Sequence, residues 1–209
     1  MLRLSALTAA LVLAATPLEA QFEIGPILGA YVPTSDIALS VASNAFGANA
    51  KVRTGVALGG IARVWVERRV GLEASLLHTS TSVALHGSVG TAATDTPDAS
   101  VTVGTLAALF RFTPGDVAAP IWVSGGVAFT NRSGEAFKGF SNRKSIGGAL
   151  GAGARVPLGR QFGIDLGLRS LLYSLALRDS TGSFPSRFQI DMTAWAGIVV
   201  RLGHSRIEE

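Results

Sequence analysis

Phe188-Gln-Ile-Asp-Met-Thr-Ala-Trp-Ala-Gly-Ile-Val-Val-Arg-Leu202 keeps a strict two-residue rhythm. Phe188, Ile190, Met192, Ala194, Ala196, Ile198, Val200 and Leu202 are apolar, and Gln189, Asp191, Thr193 and Arg201 stand among the residues between them. Successive side chains of a β-strand point to opposite faces, so the rhythm predicts a strand with one apolar and one polar face. At ~3.3 Å per residue it reaches roughly 50 Å. Ordinary soluble strands run to about 5 or 6 residues, whereas a strand that crosses a bilayer needs about 9 to 11 and continues past the interface into water.

The first twenty residues read differently. Arg3 precedes an apolar run from Leu4 to Ala15, followed by Pro17-Leu18-Glu19-Ala20, which predicts a secretory leader over residues 1–20 and a single folded domain over 21–209. The apolar run is short for a membrane helix, and no later segment supplies about 18 uninterrupted apolar residues. There are no cysteines, so disulfides contribute nothing to the fold.

Charged residues make up only 15% of the chain and the mean hydropathy is +0.40, although no segment is a candidate membrane helix. A soluble β-protein hides its apolar face and shows a polar one to water. A membrane barrel reverses this, turning the apolar face to lipid and keeping polar groups inside. Many charges fall within the alternating segments, out of phase with the apolar set. Many of the 25 glycines share that polar phase, which suits a narrow interior where large side chains need room.

Other segments repeat the pattern. In residues 51–67, Val52, Val56, Leu58, Ala62, Val64 and Val66 form one phase, with Lys51, Arg53, Arg63 and Glu67 on the other. Residues 70–76, 121–130, 145–156 and 164–169 alternate in the same way. Residues 101–112 slip phase near Thr105, which predicts a β-bulge, and residues 22–32 contain Pro26, which predicts a second bulge. These segments make eight strands. The spacers alternate between long (33–50, 86–100, 131–144, 178–187) and short (67–69, 113–119, 157–163), the asymmetry of long outer loops and short periplasmic turns. The expected fold is an all-β, eight-stranded antiparallel up-and-down transmembrane barrel.

With this architecture, with Leu28-Gly-Ala-Tyr-Val-Pro33 ending the first strand and with the ending from Gly197 to Leu202, the chain resembles the small eight-stranded outer-membrane barrels, such as the OmpA transmembrane domain and OmpX. The resemblance implies an outer-membrane location in a Gram-negative-type bacterium. It also implies contact with outer-membrane lipid, lipopolysaccharide and the barrel-assembly machinery, and a monomeric state. Such barrels usually end on an aromatic residue that the machinery reads, whereas this chain runs past Leu202 into Gly-His-Ser-Arg-Ile-Glu-Glu.

Face parity gives expectations for the interior. A three-residue turn at 67–69 that pairs Val66 with Val70 puts Arg63 opposite Glu73. The same exercise at 157–163 pairs Arg155 with Asp165, and closure of the barrel joins Glu23 to Arg201. Arg169 and Asp191 extend the set. Buried charges are costly unless paired, so opposite signs at matched positions predict a cross-linked, closed interior with no wide pore.

Three functional classes follow: a non-enzymatic barrel with a structural or surface-interaction role, a lipid A-modifying enzyme, and a narrow channel. His78-Thr79-Ser80 resembles the His-x-Ser element of outer-membrane lipid A deacylases, but no acidic residue is placed to complete a triad, and a polar strand end leaving the membrane explains it better. Arg132, Lys138, Arg143 and Lys144 make the third outer loop basic and suit lipopolysaccharide phosphates. Trp65 and Trp122 fall on the inward phase, where they pack the core instead of forming an interfacial girdle. The three histidines lack metal-ligand spacing, and Gly147 to Gly153 alternates with aliphatics and is no phosphate loop, so neither metal nor cofactor is expected. The pI of 10.1 comes from dispersed arginines and not from a basic stripe, which argues against nucleic acid. The competing fold, a soluble lipocalin-like barrel, would have to line an apolar cavity with charge.

Overall fold

A computed structural model of the chain describes residues 21–35, 37–39, 48–86, 97–113, 119–178 and 186–202. The leader expected over 1–20 and the ending after Leu202 lie outside the described residues. The strands are β1 (Gln21–Pro33), β2 (Ile37–Leu39), β3 (Ala48–Val52), β4 (Gly55–Trp65), β5 (Val70–His86), β6 (Asp98–Arg111), β7 (Ile121–Ser133), β8 (Lys144–Leu158), β9 (Phe162–Leu175) and β10 (Arg187–Leu202). Eight of them close a ring in the order β5-β4-β1-β10-β9-β8-β7-β6, with β6 returning to β5 and every pairing antiparallel. Closure satisfies the strand backbone within the ring and removes the sheet edges, which is what allows strands to cross a bilayer. The small hairpin β2–β3 prolongs the wall beyond one end, where Asn49 to Val52 pair with His86 to Val83 of β5.

That end carries the longer connections, and the opposite end carries the short ones. The β4–β5 turn closes with Val66 N–H donating to Val70 O at 3.0 Å. The β8–β9 turn uses Gly159 at φ +88°, a left-handed conformation that favours glycine. The predicted registers hold: Arg63 lies opposite Glu73, Arg155 opposite Asp165, and Glu23 opposite Arg201.

Three local expectations are corrected. Residues 51–67 are not one strand, because the ladder breaks after Val52. From Val52 to Ala57 the chain advances five residues (57 − 52) while their partners on β5, Val83 and Thr79, differ by four (83 − 79). The extra residue switches faces, so Val52 is buried at 2% exposure while Lys51 and Arg53 are exposed, and Glu67 is exposed in the turn. The bulge expected near Thr105 does not exist: β6 keeps unbroken register with both neighbours, and Val101, Val103, Thr105, Ala107, Leu109 and Arg111 all face inward. Nor does Pro26 need a bulge. It sits opposite Gly60 in a continuous ladder with β4, and the pairing with β10 pauses at Gly25 and Pro26, then resumes in the same register. Proline has no N–H to donate there, and its ring points outward.

The exterior is apolar along the length of the strands, with Leu28, Leu58, Leu76, Leu106, Leu150 and Ile198 all exposed. Phe22, Phe110, Phe112 and Phe162 form an exposed aromatic belt at the short-turn end. In water such a surface would drive aggregation, whereas against lipid it is the expected wall. All three tryptophans point the other way and are buried.

Candidate functional site in the barrel lumen

The lumen is built from residue pairs set by strand register. Each tryptophan faces a glycine on the next strand: Trp65 opposite Gly71, Trp122 opposite Gly153, and Trp195 opposite Gly167. A Cβ added at Gly153 or Gly167 would lie 2.2 Å from the Cζ2 of its facing indole. The missing side chains therefore let each indole lie over the neighbouring strand and fill the barrel without overpacking. Trp122 and Trp195 stack with centroids 6.3 Å apart. The Arg63 guanidinium lies 4.5 Å from the Trp122 ring centroid and that of Arg169 lies 4.9 Å from Trp195, positions in which the ring faces attract a cation.

Around these rings the charged groups bridge the lumen. Arg63 Nε donates to Glu73 on the adjacent strand at 2.6 Å, and its two terminal nitrogens reach Asp165 as a fork, one of them at 2.9 Å. Asp165 stands on β9, three places away around the ring from β4. Trp195 Nε1 adds a bond to the same carboxylate at 3.1 Å. Arg169 reaches the second oxygen of Glu73 on the opposite side of the barrel, and also donates to Ser75 Oγ at 2.8 Å and Thr105 Oγ1 at 2.7 Å. Arg155 crosses from β8 to Glu23 on β1, which also accepts a bond from Gln21 at 3.3 Å.

Nearer the outer end Asp191 accepts hydrogen bonds from the hydroxyls of Tyr31 and Tyr173, with Arg132 Nη2 at 3.7 Å. Arg132 also donates to Tyr173. Beyond this layer the lumen turns apolar: Val52, Val83, Val101, Leu175 and Leu177 are buried, joined by Phe137 from the short helical turn Glu135–Phe137 that follows β7.

The structure thus brings the expected interior residues together, keeps the Arg63–Glu73 pair, and adds bonds across the lumen that register did not predict. Arg155 and Asp165 are register neighbours, yet Arg155 bonds to Glu23 and Asp165 to Arg63. Glu23 and Arg201 are opposed in register, and one oxygen of Glu23 bonds to Arg155 across the lumen. A long guanidinium reaches past the adjacent strand into the lumen, and register does not report that reach. The basic-loop expectation also needs correction: Arg132 lies on β7, is 2% exposed and belongs to the lumen, not to the lipopolysaccharide surface. Lys138, Arg143 and Lys144 are exposed, with Lys138 paired to Glu135. Sequence reasoning passed over Tyr31, Tyr173, Ser75 and Arg111 as lumen groups and read Thr105 as a bulge. Inward parity was the available signal for Ser75, whereas the misread phase of β6 hid Thr105 and Arg111.

The His78-x-Ser80 pair faces outward. His78 Nδ1 lies 3.0 Å from Thr102 Oγ1 on the adjoining strand, and Asp98 stands opposite Ser82, four residues along β6 from Thr102. At ~3.3 Å per residue that is roughly 13 Å, beyond the reach of a triad hydrogen bond.

Residues 5–188 match the family described as outer membrane protein beta-barrel domain. No curated protein matches the chain in sequence. Among solved structures, the chain is similar to the outer membrane protein OprG from Pseudomonas aeruginosa, with 18% identity, a TM-score of 0.65, and coverage of 88% of this chain and 97% of that one. It is similar to the outer membrane protein AlkL, with 10% identity, a TM-score of 0.58, and coverage of 91% and 92%. Neisserial surface protein A is a third such structure, with 13% identity, a TM-score of 0.52, and coverage of 88% and 99%. At these identities the likeness speaks to the fold, and the fold is that of outer-membrane barrels.

Proposed function

The chain belongs to the outer membrane protein β-barrel domain family and resides in the outer membrane, and from that premise we propose that it is a non-enzymatic, closed barrel with a structural and surface-interaction role. The observation that carries this reading is the set of bonds that cross the lumen, from Arg63 to Asp165, Arg155 to Glu23, and Arg169 to Glu73. Each joins strands at least three places apart around the ring, so the side chains occupy the space a pore would need. A barrel of eight strands has an interior just wide enough to be filled this way.

A closed wall leaves the outer end as the interacting surface. Lys144 stands two residues above the exposed Ile146, on the same outward face, where a long cationic side chain extends from the apolar belt to the headgroup level. With Lys138 and Arg143 it supports contact with lipopolysaccharide phosphates. Reconstitution tests this. The thermal unfolding midpoint should rise in vesicles containing lipopolysaccharide relative to phospholipid alone, and the variant Lys138→Glu, Arg143→Glu, Lys144→Glu should lose most of that rise. An equal rise in the variant would remove these residues from the surface site. For the non-enzymatic reading, a strain expressing the wild-type protein should process lipid A no differently from one expressing Ser80→Ala, and a Ser80-dependent change would contradict it.

A further inference from the structure

A trough of about 1020 Å³ runs down the lipid-facing wall across β1, β4, β5 and β6. His78, Thr102 and Phe129 stand at its outer end, and it reaches Ile24 and Val200 near the short-turn end. Leu58, Leu76 and Leu106 form its sides, while Pro26, Gly60, Ala62, Ala74 and Gly104 keep its floor low. The ladders that join β1 to β4, β4 to β5 and β5 to β6 run unbroken through this region, so the trough belongs to the outer surface and does not enter the lumen.

Two of the floor glycines differ from those that face the indoles. A Cβ added at Gly60 would first meet the Gly25 carbonyl oxygen at 3.7 Å, and one at Gly104 would first meet Leu76 Cδ1 at 3.9 Å. Glycine inside a strand weakens it, and neither of these is needed to admit a neighbouring side chain. What they leave is an apolar trough continuous with the wall that meets lipid. A chain lying in it exchanges one apolar contact for another, so the trough contributes packing, and selectivity has to come from a polar end.

That polar end is on the outer side. His78 Nδ1 is engaged with Thr102 Oγ1 at 3.0 Å, which leaves Nε2 as the remaining hydrogen-bonding atom of the ring. Farther out, Arg53 is fixed opposite Ser82, its N–H donating to Ser82 O at 2.9 Å and its carbonyl accepting from Thr81 Oγ1 at 2.6 Å. Ser82 follows His78 on the same outward face of β5, roughly 13 Å along the strand at ~3.3 Å per residue. Lys51 stands opposite Ala84 on that face, and both Lys51 and Arg53 are exposed. Among the described residues of β5, β6 and the strand beside them, the carboxylate on this face is Asp98, opposite Ser82, and it forms no ion pair with either cation. Two cations against one carboxylate suit an anionic headgroup.

We propose that the trough is a binding site for lipopolysaccharide, whose lipid A lays an acyl chain over Gly60 and Gly104 and presents its sugar phosphates to Arg53, Lys51 and His78. The occupant follows from orientation. An amphiphile with its head at this end hangs from the outer leaflet, where lipopolysaccharide is the phosphate-bearing lipid. An inner-leaflet phospholipid would point the other way, and a second barrel would need no polar end. The guanidinium matches phosphate by paired N–H donors. The site rests on the reading of lipopolysaccharide as the surface partner, but it uses a different face of the barrel from Lys138, Arg143 and Lys144.

The test is native mass spectrometry of the full folded chain released from micelles that contain purified lipid A, phosphatidylethanolamine and phosphatidylglycerol in equal amounts, with heat-modifiable gel mobility verifying that each variant is folded. The wild type should retain lipid A in preference to either phospholipid. Gly60→Leu and Gly104→Leu each fill the trough from a position with open space and should lose the retained lipid A. Arg53→Ala combined with His78→Ala should keep a bound lipid but lose the preference for lipid A, and this variant decides should either glycine variant fail to fold. The variant Lys138→Glu, Arg143→Glu, Lys144→Glu should retain lipid A as the wild type does. Retention lost in that variant but unchanged in the trough variants would overturn the trough site and leave the surface reading standing. Equal retention of lipid A and phospholipid by the wild type, or a dimer that disappears when the trough is filled, would also overturn the proposal.

Discussion

Glu73 holds two guanidinia at once, Arg63 through one oxygen and Arg169 through the other, and both arginines are buried. Replacing it with alanine strands two buried cations, so Glu73→Ala should destabilise the barrel by about 3–5 kcal/mol, and Glu73→Gln by less. Urea unfolding in vesicles, followed by tryptophan emission, measures this. A loss below about 1 kcal/mol would mean that water and not the ion pair satisfies these groups. The indole–glycine pairs make a second prediction: Gly167→Ala puts a Cβ 2.2 Å from Trp195 Cζ2 and should cost about 1–3 kcal/mol through overpacking, with a shift in the Trp195 emission. Parity alone made the inward set of charges legible, because Arg63, Glu73, Arg155, Asp165 and Asp191 each sit on the polar phase of a clear alternation. The Arg63–Glu73 pair was legible from register, but the partners that lie across the lumen were not. Whether Arg155 bonds to Asp165 beside it or to Glu23 across the lumen depends on side-chain reach in three dimensions, and Arg132 was hidden because it sits beside loop residues of the same charge.

The strands were legible where lipid and lumen differ in polarity. β10 alternates cleanly because its outer face is aliphatic and its inner face carries Gln189, Asp191, Thr193 and Arg201. β6 misled for the opposite reason. Its outer-end lumen residues Val101 and Val103 are as apolar as the lipid face, so a regular strand imitated a bulge. The real irregularity, between Val52 and Gly55, fell where both faces carry mixed residues. The face assignment has a direct consequence for each strand. An arginine at Leu168, exposed on the outward face in mid-strand, should destabilise by about 2–4 kcal/mol in a bilayer, whereas Lys144→Ala at the outer strand end should change stability by less than about 1 kcal/mol. Equal effects at the two positions, measured by reversible unfolding in vesicles, would mean that depth in the membrane has been misassigned.

The molecule as a whole is an eight-stranded ring whose polar content is turned inward and cross-linked, with an apolar layer closing the outer end of the lumen. Ring order, strand number and the asymmetry of the two ends all follow from alternation and spacer length, because closure leaves few ways to arrange eight antiparallel strands. What the ring does was less legible, since the same fold serves many roles and the distinguishing residues lie in the lumen and the outer connections. Closure of the lumen by its own side chains is the claim on which the functional reading depends. Single-channel recording of the purified, folded protein in planar bilayers tests it most directly. The wild type should give no stable, large conductance, and Glu73→Ala, with the centre of the cross-links removed, should give brief openings. Stable, large conductance from the wild-type protein would contradict the closed barrel.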